Sequence, residues 1–188
     1  LMRSSAASDV YKRQVLGDYG LNVFNGRSLA YLKDKELESA CVSFELRFAQ
    51  IRDLKKVLRA EAIVYGRLPL MITENCLVQN ETGCRLDRQG PCVPEDGPCR
   101  CGQPNVLVDR TGAAFPLLPA YGHRTEIQNS KPLYLADRPE HRRLGLAYAR
   151  LRFTTETAEE CVSVVQNYLD AAPAAGDFTR GLYERGVE

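Results

Sequence analysis

The sequence predicts an α/β fold with a parallel sheet, followed by a small α+β region. Strand-like and helix-like segments alternate from Val15 onward, which is typical of βαβ units. Polar residues fall late in each apolar run, and in (β/α) folds the carboxyl ends of the strands carry the chemistry. The alternation stops at residues 74–104, where cysteine, glycine and proline replace large apolar side chains. Such a segment cannot bury enough apolar area to order itself, so something else must hold it.

The first fourteen residues, LMRSSAASDVYKRQ, show no apolar period and lead into nothing that follows. The string resembles translated read-through of a sequencing adapter, so we set residues 1–14 aside from the fold prediction. A genuine disordered arm is the alternative. On the first interpretation, the natural chain continues upstream of Val15.

Three strands, joined by two helices, are expected before the cysteine-rich segment. The predicted elements are a strand at 15–24, a helix at 27–35, a strand at 40–46, an amphipathic helix at 49–59 and a strand at 62–71. Three strands cannot close an eight-stranded barrel, so the sheet would keep an open edge with unpaired backbone groups that favour aggregation. We therefore expect residues 15–188 to fold poorly in isolation.

A hairpin and a mixed region are expected after the cysteine-rich segment. VLVDRTGAAFPLL is typical of a hairpin with its turn at Asp109 to Gly112. Thr157 and Glu160 form a capping box for a helix that runs to about Asp170. The remaining predictions are a strand at 127–135, a weak charged helix at 137–146 and a strand at 147–153.

Length, charge and hydropathy exclude several classes of protein. The 188 residues suit one domain or part of a larger one. Their net charge of +1 argues against a positive potential over the whole surface that would attract nucleic acid. A local basic groove that binds nucleic acid is still compatible with this net charge. No stretch approaches the roughly 20 apolar residues that span a bilayer. The odd count of seven cysteines, without a signal-peptide pattern, favours a reducing, cytoplasmic compartment over a secreted disulfide scaffold.

Five cysteines are clustered in the pattern C-x7-C-x7-C-x6-C-x-C. Thiolates are the soft ligands that iron–sulfur clusters and zinc prefer. The spacing matches neither a zinc ribbon nor a ferredoxin run, so it does not choose between the two, and disulfides or unliganded thiols remain the alternative. His123 is either a substitute ligand or a hydrogen-bonded surface residue. The two other cysteines, Cys41 and Cys161, are expected to behave as small core hydrophobes.

Seven motifs together resemble the collagenase-like peptidase family U32. In order they are DYGLNVFN, SFEL, VYGRLPLM followed by ENC, LVDRTGAAFP, NSKPLYLAD, LRFTTET and TRGLYERGV. They are similar to the C-terminal half of the family. The resemblance implies the last βα units of an incomplete TIM-like barrel at 15–73, a cluster-binding loop at 74–104, and a hairpin with an α/β region at 105–188. A missing N-terminal barrel half would be the structural partner.

The resemblance also implies a cofactor and a reaction. Better-understood members of the family hold a four-iron, four-sulfur cluster and carry out oxygen-independent hydroxylation of a transfer-RNA uridine, a ribosomal-RNA cytidine or a ubiquinone precursor. Prephenate is implicated as the oxygen donor for some of them. Cys76 in ENC matches the family's first ligand, and Cys84 in TGC fits the second. The favoured ligand set is Cys76, Cys84, Cys99 and Cys101, with Cys92 and His123 as alternates.

Five further side chains are candidate substrate contacts. A guanidinium group binds carboxylates and phosphates in a fork, and a tyrosine ring stacks on a base. Each has an ordinary alternative, which is a solvated salt bridge for arginine and packing for tyrosine. The candidates are Glu45, Tyr65, Arg67, Arg110 and Arg124.

Three functions stay open on the sequence. The first is an iron–sulfur hydroxylase acting on RNA, with activity expected of the full-length protein rather than of this fragment. The second is a collagenase-like peptidase, for which the sequence holds no HExxH or GxSxG motif and only two histidines. The third is a non-enzymatic binding module stapled by zinc, which iron and sulfide content would separate from the first.

Overall fold

The computed structural model describes residues 14–82, 103–121 and 123–186, and within these ranges the chain forms two β-sheets and four α-helices. This mixed α/β class, with both parallel and antiparallel pairing, is the one predicted. The first sheet contains β1 (Leu16–Gly17), β2 (Ser39–Cys41), β3 (Arg59–Gly66), β8 (Leu133–Tyr134) and β9 (Tyr148–Leu151). The second contains β4 (Pro69–Thr73), β5 (Asn105–Val108), β6 (Ala114–Ala120) and β7 (Arg124–Gln128). The helices are α1 (Gly26–Asp34), α2 (Phe48–Asp53), α3 (Leu77–Thr82) and α4 (Ala158–Asp170).

The first sheet is built around β3. The strands β1, β2, β3 and β9 are parallel in that spatial order, while β8 pairs antiparallel with the end of β3. Every residue of β3 after Arg59 is buried, as expected of a strand with neighbours on both sides. The carboxyl ends of the four parallel strands therefore lie at one edge of the sheet.

The strand predicted at 62–71 is in fact the end of one strand and the start of another, in different sheets. Gly66 ends β3 with φ +120°, and a Cβ atom on it would lie 2.1 Å from the carbonyl oxygen of Arg152. Glycine alone tolerates both conditions, so the chain turns out of the first sheet at this point. The apolar run conceals the break because the strands on both sides of it are hydrophobic.

The second sheet is antiparallel throughout, in the order β4-β7-β6-β5. β5 and β6 form the predicted hairpin, with its turn at Asp109 to Gly112. The Asp109 carboxylate accepts hydrogen bonds from the backbone N–H groups of Thr111 (2.7 Å) and Ala113 (3.0 Å). Aspartate therefore closes the turn through its own side chain, as it commonly does.

The strand predicted at 127–135 also divides between the sheets. β7 ends in the second sheet and β8 begins in the first. Between them, the Asn129 N–H donates to the carbonyl oxygen of Leu68 at 2.8 Å. Since Leu68 lies between β3 and β4, the two passages of the chain between the sheets run side by side.

Several elements are shorter than predicted. The strands expected at 15–24 and 40–46 shrink to β1 and β2, continued by one isolated bridge between Val23 and Val42. The helix expected at 49–59 ends at Asp53, because the chain has to turn before β3 begins at Arg59.

Two predictions for the second half of the chain have opposite outcomes. The helix expected at 137–146 is only a five-residue 3-10 helix, Pro139–Arg143. The capping box of α4 is present as predicted. The Thr157 hydroxyl accepts from the Glu160 N–H at 3.3 Å, and the Glu160 carboxylate accepts from the Thr157 N–H at 2.7 Å.

The main core joins the first sheet to α1 and α2. It includes Leu29 from α1, Ile51 from α2 and Ile63 from β3, all fully buried. Cys41 lies in this core with none of its surface exposed, and burial raises the pKa of its thiol to about 12. The prediction that Cys41 is a core cysteine is confirmed, whereas Cys161, which was expected to be buried in the same way, is only half-buried on α4.

Candidate metal centre at one end of the second sheet

Four chain segments meet at one end of the second sheet. β4 ends and β7 begins there, because Thr73 pairs with Thr125. β6 also ends there, because Ala120 pairs with Arg124. β5 starts on the same side, since it runs antiparallel to β6. Residues that follow β4 or precede β5 and β7 therefore come to the same end.

Two predicted ligands come to this end of the sheet. Cys76 follows β4 by three residues, and His123 immediately precedes β7. His123 is half-buried in the connection between β6 and β7 and has φ +59°. The helix α3 starts at this end of the sheet, and residues 83–102 follow it in the chain. The strand β5, which comes after residues 83–102, also starts at this end.

The other predicted ligands lie outside the described residues. They are Cys84, Cys92, Cys99 and Cys101. Within residues 14–82, 103–121 and 123–186, no three or more His, Cys, Asp or Glu side chains are grouped so that they could hold a metal ion. The structure therefore places Cys76 and His123 and leaves the rest of the ligand set as a prediction.

The Cys76 turn, which we define as Glu74 to Leu77, is attached to β7 on both sides of the cysteine. Before Cys76, the Glu74 Oε2 atom accepts hydrogen bonds from Nε (3.1 Å) and Nη2 (3.0 Å) of Arg124. After Cys76, the Leu77 N–H donates to the Thr125 hydroxyl at 3.1 Å. Two consecutive residues of β7 thus set the position of this turn.

The sulfur of Cys76 is itself a hydrogen-bond acceptor. It receives the backbone N–H of Gln79 at 3.4 Å, and the cysteine is half-buried. Hydrogen bonds to sulfur are among the features that tune iron–sulfur clusters. The surroundings of Cys76 are therefore compatible with a thiolate ligand.

Arg110 and Arg124, both predicted substrate contacts, lie at opposite ends of the second sheet. Arg124 begins β7 and forms an ion pair with Glu74. Arg110 is exposed in the turn between β5 and β6. The strand β6 separates the two ends, and a strand of its length spans roughly 20 Å. The structure therefore does not bring these two guanidinium groups together around one small ligand.

Arg67 and Glu45 both lie beyond the ends of strands in the first sheet. Arg67 follows β3, and its Nη1 donates to the carbonyl oxygens of Asn129 (3.0 Å) and Ser130. Its Nε donates to the Thr155 hydroxyl at 3.4 Å. Glu45 is half-buried in the turn after β2. Arg67 thus holds the connection between β7 and β8, and Glu45 lies near the carboxyl edge, as its position in the sequence predicts.

Tyr65, the predicted base-stacking residue, lies in an aromatic cluster and is only 6% exposed. Its ring contacts Tyr134, Phe153 and Tyr168, with centroid separations of 6.5, 5.5 and 6.2 Å. Its hydroxyl donates to Glu156 at 3.2 Å, and burial together with this carboxylate raises its pKa. These contacts favour the packing role over base stacking.

Sequence reasoning missed Arg152, which joins the two sheets. Its guanidinium donates to the carbonyl oxygen of Arg67 (2.6 Å), to Gln128 Oε1 (2.6 Å), to Glu126 Oε1 (2.8 Å) and to the Tyr19 hydroxyl (3.3 Å). The Arg152 and Glu126 side chains are 16% and 14% exposed. Because its contacts come from both sheets, Arg152 acts as a clamp between them.

Arg150 makes a second set of charged contacts two residues earlier on β9. It bonds to Asp18, which follows β1, and to Glu61 in β3. Alternate residues of a strand share a face, so the R-x-R spacing of Arg150 and Arg152 was the signal available in the sequence. That signal was hidden because exposed strands commonly carry charges on alternate positions as well.

Comparison with known proteins places the chain in a family. The family model described as peptidase family U32 matches residues 4–109, more than half of the chain. The match starts at residue 4, within the fourteen residues set aside in the fold prediction, and covers the Cys76 turn. No significant match was found among curated proteins or among solved structures. In the described ranges, no helix has the length and apolarity needed to cross a membrane. The chain belongs to peptidase family U32.

Proposed function

We propose that this chain is part of an iron–sulfur enzyme that hydroxylates an RNA base without oxygen. The observation that supports this most is that Cys76, His123 and the first residues of α3 and β5 lie at one end of the second sheet. Cysteines from the intervening segment supply the remaining ligands in this proposal. The full set is Cys76, Cys84, Cys99 and Cys101, with Cys92 and His123 as alternates.

The donor chemistry at this end of the sheet suits such a cluster. Cys76 offers a soft sulfur that already accepts the Gln79 N–H. When bound, the cluster supplies redox or Lewis-acid power that side chains lack. The chain's own contribution is to hold the Cys76 turn against β7 through Arg124 and Thr125.

The rest of the proposed enzyme follows from the family resemblance. In this proposal the segment 15–73, which contains β1, β2 and β3, supplies the last βα units of an incomplete TIM-like barrel. A carboxylated oxygen donor such as prephenate binds near Arg124, because that guanidinium lies at the Cys76 end of the sheet. Arg110 is exposed and lies about 20 Å from the Cys76 end of the sheet. In this proposal it contacts a phosphate of the RNA outside the reaction site.

Metal analysis separates the cluster from a zinc staple. The chain is purified anaerobically and reconstituted with iron and sulfide, and iron, sulfide and zinc are measured per chain. We expect about four irons and four sulfides, lost in Cys76→Ser and kept in the matched control Cys161→Ser. Zinc without sulfide would instead support the non-enzymatic binding module. If the folded protein contained neither iron nor zinc, the cluster proposal would be overturned.

A product assay tests the reaction. The reconstituted full-length protein is incubated with RNA and prephenate, and the digested nucleosides are analysed by mass spectrometry for a gain of one oxygen. We expect the gain to disappear in Cys76→Ser and to persist in Cys161→Ser. An unchanged nucleoside profile from a fully loaded protein would contradict the RNA hydroxylase.

A peptidase is the second candidate, because the matching family carries that description. Its two histidines offer little support as general bases. His141 is buried with its Nδ1 bonded to the carbonyl oxygen of Arg138, and His123 lies at the candidate metal centre. Cleavage of gelatin that survives removal of all metal would favour the peptidase over the hydroxylase.

A further inference from the structure

A buried hydroxyl lies directly behind the Cys76 turn. Thr125 is 3% exposed, although it is the second residue of β7 and its neighbour Arg124 is exposed. Its hydroxyl accepts the N–H of Leu77, the residue that follows Cys76. A buried hydroxyl that has no partner costs free energy, so this bond is favoured once the turn is in place.

The same bond compensates for a weakness of α3. Leu77 is the first residue of this six-residue helix, and the first N–H groups of any helix lack partners within it. Thr125 supplies one partner from a neighbouring strand rather than from the helix's own cap. The start of α3, and with it Cys76, is therefore fixed relative to β7.

A second threonine completes the arrangement. Thr73 pairs with Thr125 across the strands, and its hydroxyl lies 2.6 Å from the carbonyl oxygen of Asn75 and 3.4 Å from that of Thr125. Two hydroxyls therefore bond the backbone immediately before and immediately after Cys76. In contrast, the Arg124–Glu74 pair over the same turn is exposed, and exposed ion pairs contribute little.

We infer that Thr125 is a positioning residue for Cys76. Its hydroxyl holds the backbone on which the thiol is mounted, and it does not touch the ligand itself. The consequence for a cluster rests on the proposed function, whereas the effect on the thiol does not. Partners that orient metal ligands commonly change metal affinity by 10–100-fold when they are removed.

The test measures the thiol and the cluster separately. In the metal-free, reduced chain, the alkylation rate of Cys76 is followed by peptide-resolved mass spectrometry, with Cys161 as the internal reference. We expect Thr125→Val to raise the Cys76 rate relative to Cys161 by about five- to tenfold, because the Leu77 N–H loses its acceptor. Thr125→Ser, which keeps the hydroxyl, should restore the wild-type ratio.

A matched control removes a threonine hydroxyl elsewhere. Thr111 lies in the exposed hairpin turn at the other end of the second sheet, where its hydroxyl lies 2.7 Å from an Asp109 carboxylate oxygen. Thr111→Val should leave the ratio of the two rates unchanged. If Thr125→Val accelerated both cysteines equally, the hydroxyl would serve only general stability, and the inference would be overturned. An unchanged Cys76 rate would overturn it too.

Cluster retention is then measured on the reconstituted proteins during challenge with an iron chelator. We expect Thr125→Val to lose its visible absorbance about tenfold faster than wild type and Thr125→Ser. Equal retention, together with a changed alkylation ratio, would confine Thr125 to the metal-free thiol and overturn its role toward the cluster. Absence of a cluster in wild type would overturn the proposed function while the alkylation result still decides the positioning role.

Discussion

Arg180 attaches the C-terminal segment to the first sheet through three short contacts. Its two terminal nitrogens donate to the two carboxylate oxygens of Asp137 at 2.6 and 2.7 Å, and Nη1 also donates to the carbonyl oxygen of Tyr134 at 2.7 Å. These hydrogen bonds lower the pKa of Asp137, and both side chains are mostly shielded from solvent. The pair is therefore a pH-dependent contribution to stability.

Replacing Asp137 by asparagine should lower the free energy of unfolding by about 1–2 kcal/mol at pH 7. Because the folded-state pKa lies below the unfolded value, the contribution is complete above about pH 4. It is lost as the pH falls through the folded pKa. Urea unfolding of wild type and Asp137→Asn from pH 7 to pH 3 should show the gap closing. Asp177→Asn, which removes an exposed carboxylate 3.5 Å from Lys131, is the control with little effect.

His141 is a second residue whose stability contribution depends on pH. It is 6% exposed, and its ring packs edge-on against Tyr168 with centroids 6.2 Å apart. Burial lowers its pKa, so the unfolded chain takes up a proton before the folded chain does. Acidification from pH 7 to pH 5 should therefore destabilise wild type more than His141→Phe, which keeps a ring against Tyr168. Parallel unfolding curves for the two proteins over this range would contradict the assignment.

At the level of elements, the glycine that ends β3 decides where the first sheet stops. Gly66→Ala should cost more than about 3 kcal/mol, because it combines left-handed backbone strain with a clash against Arg152. Gly112→Ala is the matched control. Gly112 also has positive φ, at +85°, but a Cβ atom there meets nothing within 4 Å, so about 1 kcal/mol is expected. Thermal or urea unfolding of both variants gives the comparison, and equal losses would mean that the clash is relieved elsewhere.

Elements with local signals could be predicted, and those decided by distant partners could not. The capping box at Thr157 and the Asp109 turn bond within a few residues, so the sequence reveals both. The runs at 62–71 and 127–135 are each divided between two sheets, and which residues pair is decided by strands far away in the chain. Intrinsic strand preference is similar on both sides of each break.

The same distinction between local signals and distant partners explains what the sequence revealed about the site. Residue chemistry pointed to Cys76 and His123, and the structure brings both to one end of the second sheet. The position of Arg110, far from Arg124, could not be read from the sequence because it depends on the length and direction of β6. Thr125 carried no signal either, since its role depends on the N–H of a residue 48 positions away.

At the level of the whole molecule, Arg152 makes polar contacts that join the two sheets. Its partners Glu126 and Gln128 lie on β7, and its partner Tyr19 follows β1. Arg152→Met keeps much of the side-chain volume but leaves Glu126 without its cation. We expect a loss of about 2–4 kcal/mol, because a shielded charge remains unpaired.

The loss of stability in Arg152→Met should be greatest where the two sheets contact each other. Hydrogen exchange in Arg152→Met should accelerate first in β7 and at residues 67–68, and less in the buried strand β3. Arg59→Met is the control, because Arg59 is exposed and its ion pair with Glu38 is therefore expected to contribute little to stability. Uniform acceleration throughout the chain would show that the two sheets open as one unit rather than separating at Arg152.

The buried thiol of Cys41 gives the molecule an internal reporter of its own unfolding. A pKa of about 12 and complete burial leave this sulfur neither ionised nor reachable at neutral pH, so oxidants and alkylating reagents must wait for the first sheet to open. The time course of Cys41 modification therefore reports on the opening of β2. Comparing it with the modification of Cys76 in the same sample would separate local movement at the end of the second sheet from loss of the entire core.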